Sequence, residues 1–218
     1  MNRCMKCPAV LSALLIAEAV MLSPVAKAKA PVRNDNLMIS YKDIRAGQCN
    51  PNDPTVGMVT ASTPPNSLLY TTAGCNPVVA PDGHQLTLAE FQAAHVRAAM
   101  KCTGAGTHSV LHFSGLVAKG TYTVWLFWGA LPAGGFTAIG ALGTTSPIEN
   151  FFTASEAGEG QLSVTTPEEM LSVFGQVGTC LLDAPFELHL VYHINGETYG
   201  PVPGPEGTWV TVGILLFP

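Results

Sequence analysis

The sequence predicts a mainly β protein: an antiparallel β-sandwich with one or two short helices. Three observations carry that prediction. Several short segments alternate apolar and polar residues with a period of two, the side-chain repeat of a half-buried strand. The 22 glycines and 17 prolines punctuate those segments at short intervals, as hairpins and corner turns require. Only 11% of residues are charged, against about 25% in an average globular domain, so apolar surface is plentiful enough for two sheets to bury a common core.

Residues 1–28 stand apart. Arg3 and Lys6 precede an apolar run over residues 9–22, interrupted by Glu18 and followed by two small-x-small patterns, Ala26-Lys27-Ala28 and Ala28-Lys29-Ala30. These are the parts of a signal peptide, and the run is too short to span a bilayer. Cleavage is expected after Ala28, because a cut after Ala30 places Pro31 just past the bond. The expected mature chain, residues 29–218, is secreted or periplasmic. It is long enough for one sizeable core. No later stretch reaches the length of a transmembrane anchor.

Residues 29–66 read as a loop-rich N-terminal arm, rich in Pro, Asn and Asp, with one strand near Leu37–Tyr41. Residues 67–218 read as the sandwich domain. Thr87 and Glu90 form a capping box for a short helix over 87–95. Val96, Ala98, Met100 and Cys102 then alternate with Arg97 and Lys101, which predicts a strand; Thr103-Gly104-Ala105-Gly106 turns it into a second strand over 107–113. The run TYTVWLFW over residues 121–128 is apolar on both faces and predicts a central strand. Ala157-Gly158-Glu159-Gly160 predicts a hairpin between strands at 150–154 and 161–165. Thr166-Pro167 opens a second short helix. Over 186–194 the pattern places Phe186, Leu188, Leu190 and Tyr192 inward and Glu187, His189, Val191 and His193 outward. Asn195-Gly196 signals a tight hairpin. The closing strand, 208–217, sets Val210, Val212, Ile214 and Leu216 on one face.

Loss of residues 1–28 discards Cys4 and Cys7, the chain's CxxC pair, and leaves Cys49, Cys75, Cys102 and Cys180. An even number in an exported protein predicts two disulfides with three possible connectivities; Cys49–Cys75 and Cys102–Cys180 is the expected one. A Cys4 zinc site is the alternative, although structural zinc sites usually carry a CxxC pair.

Leu116 stands six residues before Tyr122, which starts the alternation Tyr122, Val124, Leu126 within GLVAKGTYTVWL. That stretch resembles the tyrosine-corner region of fibronectin type III and other Ig-like sandwiches, with Val117-Ala118-Lys119-Gly120 where those modules usually carry a proline. The resemblance implies a sandwich and leaves function open.

Charge is unevenly spread. All 10 Lys and Arg lie at or before Lys119, while nine acidic residues follow it. Without Arg3, Lys6, Lys27 and Glu18 the chain keeps seven basic and fourteen acidic residues, a net charge of −7. Such a balance argues against nucleic acid as a partner and predicts a neutral or cationic ligand or protein partner.

The histidines are the most suggestive polar set. His108 and His112 lie four apart in one strand, and His189 and His193 repeat the spacing in another. Four strand residues span about 13 Å, so one metal cannot take both members of a pair at Zn–N distances of about 2.0–2.1 Å. If the two strands were neighbours, His112 with His189, or His108 with His193, could share a Cu or Zn ion; otherwise these are solvent-face histidines. His95 reads as a partly buried histidine on the helix. Ser114, His112 and Asp183 make a triad on paper only, and the chain has no nucleophile elbow, HExxH or P-loop. Glu156 and Glu159 read as a solvated acidic turn ahead of a calcium loop. Trp125, Trp128 and Trp209 read as core ahead of sugar-stacking residues. An N-terminal His brace is incompatible with a mature terminus at Lys29 or Pro31. The expectation is an exported, non-catalytic binding or structural module. A Cu- or Zn-binding protein and a secreted hydrolase of unrecognised type are the alternatives.

Overall fold

A computed structural model describes residues 30–130, 136–144, 148–167 and 180–217. The chain is a mainly antiparallel β-sandwich. One layer has four strands in the order β1 (Val32–Asn34), β5 (His95–Thr103), β6 (Gly106–Ser114) and β10 (Gly160–Thr166). The other runs β2 (Met38–Ile39), β12 (Trp209–Phe217), β11 (Phe186–His193), β7 (Thr121–Ala130) and β8 (Phe136–Ala141). A short strand, β9 (Phe151–Thr153), pairs with the start of β7 on the side that β8 occupies further along. A separate ribbon joins β3 (Ile44–Ala46) to β4 (Leu69–Thr71). The helix α1 spans Leu88–Gln92, and a 3-10 turn spans Leu181–Asp183.

The strand period explains the packing. Val96, Ala98, Met100, Leu111, Phe113, Leu162 and Val164 of the first layer meet Tyr122, Val124, Leu126, Leu188, Leu190 and Val212 of the second in one core. Aromatic rings tie the layers: Phe152 stacks between Phe113 at 4.9 Å and Tyr122 at 5.5 Å. The buried Tyr122 hydroxyl accepts a hydrogen bond from the Val117 amide at 2.8 Å, fixing the corner where the chain crosses from β6 to β7. Burial and the neighbouring Tyr192 hold this phenol in its neutral form, well above the usual tyrosine range. Thr87 and Glu90 form the expected reciprocal capping box on α1. The helix stops at Gln92, and residues 95–103 are strand.

Both expected disulfides are present, Cys49–Cys75 and Cys102–Cys180. Two disulfides fit an oxidising setting. No helix among the described residues is long and apolar enough to cross a membrane.

Four local expectations are overturned. Ala157–Gly160 does not form a hairpin, because β9 and β10 belong to different layers. The Gly158 carbonyl accepts from the Leu116 amide, and Phe152 drives inward, leaving room only for a glycine at position 160: a Cβ there would sit 2.2 Å from the Phe152 ring. Asn195-Gly196 begins a turn, but β11 and β12 are joined by the whole stretch 194–208, closed by an Ile194 amide to Thr208 carbonyl bond. In β12 a bulge at Val212 adds one residue against β11, where Leu190 faces Gly213 and Val191 faces Thr211. One extra residue reverses the pleat, so Leu215 and Phe217 point inward and Ile214 and Leu216 outward. The arm carries three strands, not one: β1 extends one sheet, β2 extends the other, and β3 sets Ile44 in the core. The second predicted helix, after Pro167, lies outside the described residues.

Candidate functional site

The same alternation that buries one face of the four-stranded sheet defines the other. His95, Arg97, Ala99 and Lys101 of β5 point away from the core, as do His108, Val110, His112 and Ser114 of β6 and Gln161, Ser163 and Thr165 of β10. Register arranges them in rows. Arg97 lies opposite His112, which lies opposite Gln161; Lys101 lies opposite His108, which lies opposite Thr165. His95 faces Ser114, and β1 adds Arg33 beside Ala99. Cross-strand neighbours on one face are about 5 Å apart at Cβ.

Three permanent cations and three histidines therefore share one sheet face. Arg33, Arg97 and Lys101 are all exposed, and none forms an ion pair among the described residues. At the His95 end the face opens into a cleft of about 890 Å³, lined by Arg97, His112, Gln161 and Ser155 and also by Asp35 and Glu159. At the other end the His108 ring lies 3.2 Å from the Thr165 hydroxyl. Hydroxyls, one amide and cations make this a surface suited to holding anionic, hydrogen-bonding groups.

No protein-family model, curated protein or solved structure matches this chain. Function has to be argued from the side chains and where the fold puts them.

The four histidines singled out from spacing do not converge. His108 and His112 lie on the outer face of the four-stranded sheet, and His189 and His193 on the outer side of the opposing sheet. The condition for a shared Cu or Zn ion, neighbouring strands, is not met, and no group of three or more His, Cys, Asp or Glu suited to a metal occurs among the described residues. His189 instead stacks on Phe127 at 3.7 Å, with Glu187 2.8 Å from its Nε2. Burial lowers its pKa while Glu187 pulls it back up.

His193 is buried against Thr123 and Trp125. The Trp125 indole donates to the Thr123 hydroxyl at 2.8 Å, and that hydroxyl lies 2.8 Å from His193 Nε2, as donor or acceptor according to the ring's tautomer. His193 Nδ1 is buried with no hydrogen-bond partner. Burial drives the imidazole pKa down to about 4. This hydroxyl–histidine pair is sealed from solvent, which removes it from any nucleophilic role.

The remaining candidates fall into place. His95 is exposed, because the helix ends three residues before it. Trp125 and Trp128 are buried and Trp209 half-buried. Glu156 pairs with Lys119 at 2.9 Å on the surface. One cluster was missed by pattern reading: His84 is bridged by Asp82 at 2.6 Å and Glu90 at 2.9 Å. Hydrogen bonds donated by the ring to those carboxylates raise the His84 pKa. The signal was the short spacing Asp82-x-His84 ahead of a helix whose capping glutamate has a second oxygen to offer.

Proposed function

We infer that this chain is an exported, non-catalytic binding module of immunoglobulin-like kind whose ligand surface is the outer face of the four-stranded sheet. The order β5-β6-β10 in one layer and β8-β7-β11-β12 in the other follows the A-B-E and C′-C-F-G arrangement of such sandwiches; the Tyr122 bond to the backbone upstream falls on the B–C connection in that arrangement, where those modules carry theirs at the E–F corner, and lends it no support. Export is supported by the leader-like character of residues 1–28 and by the two disulfides.

One observation carries the placement of the surface: Arg33, Arg97 and Lys101 are gathered on a single face of an otherwise acidic chain. The net charge of −7 that remains once residues 1–28 are removed favours a neutral or cationic partner. A bound group, however, responds to charges within about 8–10 Å, the Debye length at physiological salt, so the local face outweighs the total.

Retention on a sulfonate cation-exchange resin at neutral pH and about 0.1 M salt, where the screening length is about 10 Å, tests the reading. A protein whose acidic charge is uniformly spread passes straight through; this one is expected to bind and to lose retention when Arg97 and Lys101 are both changed to Ser. Unretained wild-type protein would overturn the reading.

A further inference from the structure

The cationic face has a geometry that narrows what it can hold. Arg97 and Lys101 are four residues apart along β5, about 13 Å, and Arg33 flanks Ala99 between them. Side chains spaced in this way along β5 present their charges in a row, with Arg33 a diagonal neighbour of both. They match a partner that repeats its negative charge along its length.

The neighbours of the cations decide which kind of repeating anion. Ser114, Gln161, Ser163 and Thr165 share the outward positions with His95, His108 and His112, so the face offers hydroxyls, an amide and imidazoles between its positive charges. No Trp, Tyr or Phe points outward from β5, β6 or β10, so nucleic-acid bases find none of the large aromatic platforms they stack on. Ala99 and Val110 are the face's only apolar side chains on β5 and β6, and both are half-buried in the middle of the sheet, which leaves nothing to insert into a lipid surface. A hydroxyl-rich polymer bearing spaced carboxylates satisfies both halves of the surface: carboxylates at Arg97, Lys101 and Arg33, and sugar hydroxyls at the serines, Thr165 and Gln161.

We propose that the outer face of β1, β5, β6 and β10 binds an acidic polysaccharide, a chain of uronate sugars, laid along β5 across Arg97 and Lys101. This rests on the reading of that face as the ligand surface. Asp35 and Glu159, which line the cleft together with Arg97, limit the run at that end by repelling further carboxylates.

Polygalacturonate is the probe. Binding is measured by calorimetry with the purified protein at low salt, against fully methyl-esterified polygalacturonate, polyglutamate, single-stranded DNA, and vesicles of phosphatidylglycerol with phosphatidylcholine. Two variants accompany it. Arg97→Glu/Lys101→Glu reverses the face; Lys42→Glu/Lys119→Glu makes the same change in net charge elsewhere. The expected result is that polygalacturonate binds and its esterified form does not. The face variant should then bind more than about tenfold more weakly, while the control variant stays within about threefold of wild type. All four positions are exposed; should the face variant fail to fold, Arg97→Gln/Lys101→Gln replaces it.

If polyglutamate, DNA or vesicles bind as tightly or more tightly, and the face variant still abolishes that binding, the polysaccharide is wrong and the ligand surface stands. Equal binding of the esterified polymer has the same meaning for the uronate. If the face variant binds polygalacturonate like wild type, or nothing binds at all, both fall.

Discussion

Acid should weaken this fold through His193 by an amount that can be worked out. The imidazole is about 1% exposed, its Nε2 is hydrogen-bonded to the Thr123 hydroxyl, and no counter-ion contributes to its shift. Desolvation alone lowers its pKa from 6.5 to about 4. The folded-state value lies below the unfolded one, so the fold requires the neutral ring. The stability is complete above about pH 6.5 and declines as the pH falls toward 4, because the unfolded chain takes up a proton that the folded chain refuses. At 1.36 kcal/mol per unit, the loss attributable to this one group is about 3 kcal/mol. Urea midpoints measured from pH 7.5 down to pH 4 for wild type and His193→Gln give the assay, since glutamine keeps an acceptor for Thr123 and cannot titrate. Wild type should lose about 3 kcal/mol more than the variant over that range, and the His193 ring resonances should not titrate until near pH 4. Parallel stability curves for the two proteins would refute the reasoning, whatever the other titrating groups contribute to both.

Other expectations are as direct. The Cys102–Cys180 bond closes 78 residues, so Cys102→Ser/Cys180→Ser should cost about 4 kcal/mol by the chain-entropy relation, read from denaturant unfolding; a loss under 1 kcal/mol would show the loop to be constrained by other means. Gly160→Ala forces a Cβ to within 2.2 Å of a Phe152 ring already held between Phe113 and Tyr122, and should cost about 1–3 kcal/mol, a penalty that disappears in a Phe152→Ala background. Gly104→Ala meets no atom within 4 Å and should leave stability within about 0.5 kcal/mol. The His84 ring should titrate above its ordinary value by NMR, because Asp82 and Glu90 hold its proton. Its stabilising contribution is present at low pH and is lost as the pH rises through that value, and Asp82→Asn should bring the titration down.

Strand content was legible wherever one face was buried and the other wet. Residues 95–103 and 186–193 alternate as read because the one bulge beside them, opposite Leu190 and Val191, puts its extra residue in β12. The closing strand was half legible: Val210 and Val212 point inward as their spacing says, but the bulge that turns Ile214 and Leu216 outward depends on Gly213 opposite Leu190 and on Leu37 packed where a Cβ would sit. That is tertiary information. The same holds for Ala157–Gly160, whose turn chemistry is real while the partners of the flanking strands are decided by Phe152 entering the core.

The candidate site was hidden by the same division between local and tertiary signals. Alternation placed Arg97 and Lys101 on the polar side of their strand, yet neither has meaning alone; an isolated surface cation is ordinary. Pairing turns them into a face. β6 returns antiparallel and sets His112 and His108 beside them, and β1, from a distant upstream arm that reads as loop, brings Arg33 to lie opposite Ala99. Net charge hides this because it adds what the sheet separates: most acidic side chains sit on loops, turns and the opposing layer, while three of the cations share one plane. Spacing within single strands favoured histidine pairs, four residues and about 13 Å apart, and the fold sends those pairs to opposite faces of the sandwich. What a sheet face presents is set by the rows across its strands, and those rows can be written down only once the register is known.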